Sequence, residues 1–177
     1  MGQMAIKIYP DPCLRIKSKP VDRFEQDLAD VLREMAELMY RSQGIGLAAP
    51  QVGLGLSVLV VDTGDKLINY INPVILDRSK ERAVMEEGCL SLPGLTVNVK
   101  RPARIKVRAQ DANGGFFVSN LEGLAARAVQ HEIDHLNGRM IIDHLDPFRR
   151  FIAGHKLVSA KRLNAKKTCE VVCNAGK

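Results

Sequence analysis

The stretch Leu121-Glu-Gly-Leu-Ala-Ala-Arg-Ala-Val-Gln-His-Glu-Ile-Asp-His-Leu-Asn-Gly138 decides how the rest of the chain is read. It predicts a helix from about Leu121 or Gly123 to Leu136, closed by Asn137-Gly138. Residues 131–135 spell His-Glu-Ile-Asp-His. Helix positions four apart share a face, so His131 and His135 can hold one metal ion between them. Glu132 can reach the open side of that ion and take a proton from water. With four His and nine Glu in 177 residues, chance supplies this pattern on the order of 0.005 times per chain, so it is fairly specific. A catalytic centre needs a third protein ligand. His144, His155, Cys13, Cys89, Cys169 and Cys173 are the candidates. Cys89 stands in Glu86-Glu-Gly-Cys-Leu-Ser91, where Gly88 allows close approach to something bulky. A buried free thiol would suit the same setting.

Working outward, Leu28, Val31, Leu32, Met35, Leu38 and Met39 make one apolar stripe, which predicts a helix over 24–42 stopping near Gly44. The segment from Gly44 to Gly53 is small, Gly/Ala-rich and irregular. Strand candidates follow at Ser57–Val61, Leu67–Asn72, Ala83–Glu86, Leu95–Val99, Arg104–Gln110 and Gly115–Ser119. Asp111-Ala-Asn-Gly-Gly reads as a hairpin connection. Asp146-Pro147 reads as the start of a basic third helix. There Phe148, Phe151, Ile152, Val158 and Leu163 share a side, and the first three are expected to pack on the body. The fold class expected is α+β: mostly antiparallel sheets around the His-Glu-x-x-His helix, with an N-terminal helix and a C-terminal basic helix.

Length and composition narrow the classes. At 177 residues the chain fits one domain. Its 46% hydrophobic and 26% charged residues are ordinary for a globular protein and exclude disorder, collagen and coiled coil as the main state. The longest apolar run, 56–61, is far short of the about 20 residues of a membrane span. The first ten residues lack a signal-peptide core and transit-peptide character, so the cytoplasm is the expected location. Four cysteines do not make a disulfide framework. Residues 147–177 carry eight Lys or Arg against Glu170, a net +7 of the chain's +6, which leaves the first 146 residues at −1. An anionic partner would therefore meet the tail and not the body.

Three segments together, Gly44-Ile-Gly-Leu-Ala-Ala-Pro-Gln51, Glu87-Gly-Cys-Leu-Ser91 and Gln130-His-Glu-Ile-Asp-His135, resemble the three motifs of the peptide deformylases in order and spacing. The resemblance covers about residues 5–145, with Tyr9-Pro-Asp-Pro near the start. It implies hydrolytic removal of the formyl group from the N-terminal formyl-methionine of new proteins. It also implies that Cys89, His131 and His135 are the metal ligands, with Glu132 the general base and Gln51 and the Leu90 N–H the oxyanion donors. Around the methionine side chain it places Ile45, Glu87, Gly88, Leu124, Arg127 and Ala128, with Gly46 where the peptide backbone passes. The implied metal is Fe²⁺, with Zn²⁺, Ni²⁺ or Co²⁺ as substitutes. The division expected is a catalytic domain over 1–147 with 148–177 as its basic C-terminal helix or tail.

Simple chemistry agrees with that assignment. Hydrolysing a formamide near neutral pH needs a hydroxide, which a divalent metal supplies by lowering the pKa of water. The oxyanion that forms must meet donors aimed beforehand. Asp134 is not at ligand spacing from His131 and reads as a supporting contact. Some family members carry a substrate-touching arginine a few residues after the cysteine; the matching position here is Thr96, with Arg101 further on. The basic tail is either a solvated face or, as in deformylases with a C-terminal helix, a ribosome-docking segment. No sequence-specific nucleic acid or membrane partner is expected. The alternatives are an H-E-x-x-H zinc endopeptidase and a ribosome-associated protein without activity. Cys169 and Cys173 read as tail thiols.

Overall fold

The apolar run at 58–61 is buried at all four positions, and the architecture follows from what covers it on each side. In the computed structural model, which describes residues 4–158, the elements run α1 (Gln26–Arg41), β1 (Gly46–Ala48), β2 (Val58–Val61), β3 (Ile68–Arg78), β4 (Arg82–Gly88), β5 (Thr96–Pro102), β6 (Arg104–Gln110), β7 (Phe116–Glu122) and α2 (Gly123–Leu136). Residues 147–158 form a third helix, α3. All strand pairs are antiparallel: a five-stranded sheet in the order β1-β2-β3-β6-β7 and a separate β4-β5 hairpin. The α+β class with antiparallel sheets is as the sequence predicts.

One face of the large sheet packs on α1. Leu28, Leu32, Met35 and Met39 meet Leu47, Val58, Val60 and Ile71. The other face packs on α2, where Ala126, Ala128, Val129 and Leu136 meet Leu59, Val61, Tyr70, Ile105 and Val107. Sheet parity delivers Leu59 and Val61 to one layer and Val58 and Val60 to the other. The small residues of α2 let that helix come close to the strands. A third apolar cluster joins Val97 and Val99 of the hairpin to Leu14, Leu92, Met140, Ile141 and Ile142.

Most sequence boundaries agree within two residues, and β6 agrees at both ends. β3 runs past the expected Asn72 to Arg78, through an irregularity between Ile71 and Val74. Asn72 takes a left-handed φ of 51° there, and its side chain bonds both Val21 N–H and Val21 C=O. β1 is too short to show a period, so the pattern of residues misses it. In α3 the expected packing face is wrong. Phe148, Phe151 and Ile152 are 73%, 64% and 38% exposed, whereas Ala153 and Leu157 are buried. The i, i+4 pair of small and branched residues fits the tight cluster that the bulkier aromatics cannot enter. Leu163, Cys169 and Cys173 lie outside the described residues, as does most of the basic tail.

Candidate metal centre

α2 begins directly after β7, with Gly123 at φ +57° turning the chain from strand into helix. Seven consecutive residues, Ala126 to Glu132, are buried. A helix covered so completely must satisfy its polar side chains internally. Gln130 does so by donating to Pro102 C=O at 3.1 Å and Ala126 C=O at 2.9 Å. His131 and His135 follow on the same face, their ring centroids 5.0 Å apart. Cys89 reaches them from the end of β4. Its Sγ lies 3.2 Å from His135 Nε2, and the three ligand atoms fall within 4.8 Å of one another. Two donors on a tetrahedral divalent ion stand about 3.6 Å apart, so this set fits such an ion. Among the described residues it is the group with that geometry. His144 instead pairs with Asp134 at 3.0 Å, and His155 is exposed. Cys13 sits beside Pro50 C=O, and burial pushes its thiol up to about 11.

Behind the ligands lies a buried ionic network. His131 Nδ1 is 3.0 Å from Glu87 Oε2, which leaves Nε2 as the free donor atom. Arg101 grips Glu87 with Nε at 2.7 Å and Nη2 at 2.9 Å, and donates Nη1 to Asp134 at 2.7 Å. Arg127 donates to Glu87, to Val99 C=O at 3.0 Å and to Ala83 C=O at 2.8 Å. It thereby ties both strands of the hairpin to α2. Burial pushes Glu87 up, but the bonds from His131 and Arg101 win and hold its carboxyl well below the usual range. Burial would lower His131, yet the bonds to Cys89 and Glu87 and the charge of Glu132 raise it to about 10. His135, buried and beside His131, is held well below its ordinary value.

Glu132 is the contrasting carboxylate. It is 4% exposed and its Oε2 has no partner among the described residues. Burial raises it to about 7, with the His131 and Arg101 charges pulling the other way. Gly46 opens the space in front of it: a Cβ there would stand 2.5 Å from Glu132 Oε1. Gln51 is fixed by the Ala48 N–H, which donates to its Oε1 at 2.8 Å. That turns Nε2 toward Cys89 Sγ at 3.7 Å and Ser91 Oγ at 3.3 Å.

A cleft of about 380 Å³ opens onto these groups. Ile45, Gly46, Glu87, Gly88, Leu124, Arg127 and Ala128, all expected from the sequence, line it together with Gln51, Cys89, Leu90, His131 and Glu132. Gln43, Gly44, Met85 and Glu86 also line it and were not anticipated. Arg101 does not reach the cleft; it is buried behind Glu87. The parity of β5 could have shown this, since Val97, Val99 and Arg101 all point inward.

A family model described as polypeptide deformylase matches residues 3–151. The peptide deformylase of Thermotoga maritima is 45% identical over 157 residues, which is 89% of this chain and 96% of that one. A crystal structure of a peptide deformylase from Legionella pneumophila superposes with a TM-score of 0.86 at 40% identity, covering 92% of this chain and 97% of that one. One from Synechococcus elongatus, solved in complex with actinonin, gives 0.82 at 35% identity over 89% of this chain and 87% of that one.

Proposed function

The chain belongs to the polypeptide deformylase family, a family of enzymes, and on that premise we propose that it hydrolyses the formyl amide of N-terminal formyl-methionine on newly made proteins. The observation that carries this reading is the convergence of Cys89, His131 and the fully buried His135, the first two of which line a cleft that also holds Gln51 and Glu132. The three ligands would hold one divalent ion, Fe²⁺ by family resemblance. When bound, that ion supplies the Lewis acidity that makes hydroxide available near neutral pH.

The chain's own residues do the rest. Glu132, raised to about 7, accepts the proton of the attacking water and passes it to the departing amine. Gln51 Nε2 and the Leu90 N–H receive the oxyanion. The Leu90 N–H donates to no backbone carbonyl among the described residues, so it is available. Glu87 keeps His131 in the tautomer that presents Nε2. Ile45, Leu124 and Ala128 offer apolar wall for an unbranched methionine side chain. β1 and β4 are both strands with one unpaired edge beside the cleft, so an extended peptide can lie between them. Around this site α2 is the organising element, because it carries both histidines and Glu132. The basic tail would add ribosome docking near the point where substrates emerge.

The test is product identity. Metal-loaded protein given formyl-Met-Ala-Ser should release formate and leave Met-Ala-Ser intact. Cleavage of the Met–Ala bond without formate would instead support the endopeptidase alternative. Metal identity follows from oxygen sensitivity. The Fe²⁺ form should inactivate in air as iron and Cys89 oxidise, and the Ni²⁺ form should not. Equal lifetimes would argue against iron.

A further inference from the structure

β7 ends the five-stranded sheet, and among the described residues its outer edge meets no strand. Native sheets guard such an edge with lysine, proline, a bulge or short length. β1, at the other end, has three residues. β4 carries Arg82, Glu86 and Glu87, and β5 carries Lys100, Arg101 and Pro102. β7, Phe-Phe-Val-Ser-Asn-Leu-Glu, has none of these guards. It pairs with β6 in unbroken register, and its one charge, Glu122, stands at its end.

The sheet face beside that edge is open as well. The apolar layer under α1 reaches Ile71 of β3 but no residue of β6 or β7. On that side Phe116, Val118 and Val74 are exposed, Phe116 by 72%. Arg108 of β6 stands in one row between Val74 and Val118. Its guanidinium lies over Phe116, 5.7 Å from the ring centroid. Among the described residues neither Arg108 nor Glu122 has an ion-pair partner. Arg104, across from Glu122 on β6, is taken by Glu81 at 3.0 Å.

We propose that the chain forms a homodimer by pairing β7 with β7 of a second copy, antiparallel about a twofold axis at Ser119. That register sets Phe116 opposite Glu122 of the other copy, and Val118 opposite Asn120. Directly opposite side chains stand about 5 Å apart, so each Glu122 meets the Arg108 that lies over the facing Phe116. Two charges left unpaired within one chain thus find partners at both ends of the seam. The exposed Phe116 and Val118 are covered in the same step, and the free N–H and C=O groups of both edges are satisfied.

A seam of seven residues is small for a protein interface, so the dimer should dissociate on dilution. Sedimentation of the full metal-loaded chain over roughly 1–200 µM should show the mass rise from one chain toward two. Val118→Lys puts a charge at the centre of the seam and should stay monomeric throughout. Its formate release should match the wild type, since no β7 residue lines the cleft. Arg108→Glu should also be monomeric, and adding Glu122→Arg to it should restore the dimer by exchanging the two charges. A wild type that stays monomeric over the whole range would overturn the proposal. So would a dimer that survives Val118→Lys, or a charge exchange that fails to restore it. The readout is mass and not activity, so each of these outcomes leaves the deformylase reading where it stands.

Discussion

A methyl group on residue 46 would stand 2.5 Å from Glu132 Oε1 and 3.0 Å from its Cγ, so Gly46→Ala should push the carboxylate out of place. None of the three proposed ligands is touched, so metal content should stay at the wild-type level while kcat falls. A loss of roughly ten- to a hundredfold is expected, within the range that general-base catalysis supplies. Unchanged kcat would mean that Glu132 tolerates the shift or is not the base. Glu132→Gln isolates the same group chemically: the metal should remain and activity drop on the order of 10²–10⁴-fold. At this scale the sequence was informative where spacing carries chemistry. His131, Glu132 and His135 were legible from helical period alone. Cys89 was singled out as the third candidate ligand only through the family resemblance, because a single thiol has no spacing to the helix. Arg101 was not legible, since its role depends on which buried carboxylates it faces across the fold.

The hairpin β4-β5 contributes Cys89 and Glu87 and is held to α2 by ionic bonds. Arg101 is 5% exposed at its side chain, like Glu87, and also pairs with Asp134. Arg101→Met would leave the buried Glu87 and the half-buried Asp134 short of a partner, which costs about 3–5 kcal/mol. Glu81→Ala, which breaks the exposed Arg104–Glu81 pair, should cost under about 1 kcal/mol. Urea midpoints would measure both, and similar losses would contradict the network's importance. The pH dependence has a definite sign. Glu87 and Asp134 are both held below their ordinary values, Glu87 from 4.5. They bind protons more weakly in the folded protein than in the unfolded one. Their contribution is therefore present above about pH 4.5 and lost as pH falls below it, and Arg101→Met should flatten that acid limb. Elements with a clear period were legible: α1, α2 and β6 matched. β1 and the buried face of α3 were not, because three residues show no period and α3 packs by its smaller side chains.

Across the whole molecule, chemistry and charge occupy different segments. The catalytic motifs end at His135, while the +7 excess lies in residues 147–177. Among the described residues no helix is long and apolar enough to cross a membrane. If the tail docks on ribosomes, removing residues from Arg162 onward should leave hydrolysis of a small formyl-peptide nearly unchanged. Co-sedimentation with ribosomes should weaken and its salt dependence flatten, because fewer phosphate contacts release fewer counterions. Unchanged binding at low and moderate salt would return the tail to a solvated basic face. The overall class was legible from the order of helical and strand patterns. The closeness of the hairpin to α2 was not, since it rests on contacts between residues far apart in the chain, such as Arg127 with Glu87, 40 apart, and His131 with Glu87, 44 apart.

The central claim is that Cys89, His131 and His135 together hold one divalent ion. Elemental analysis of wild type and Cys89→Ala, both purified without oxygen or chelator, tests it most directly. Two histidines alone bind such an ion weakly, so the wild type should carry about one ion per chain and the variant only a small fraction of that. A variant with full metal occupancy would contradict the assignment.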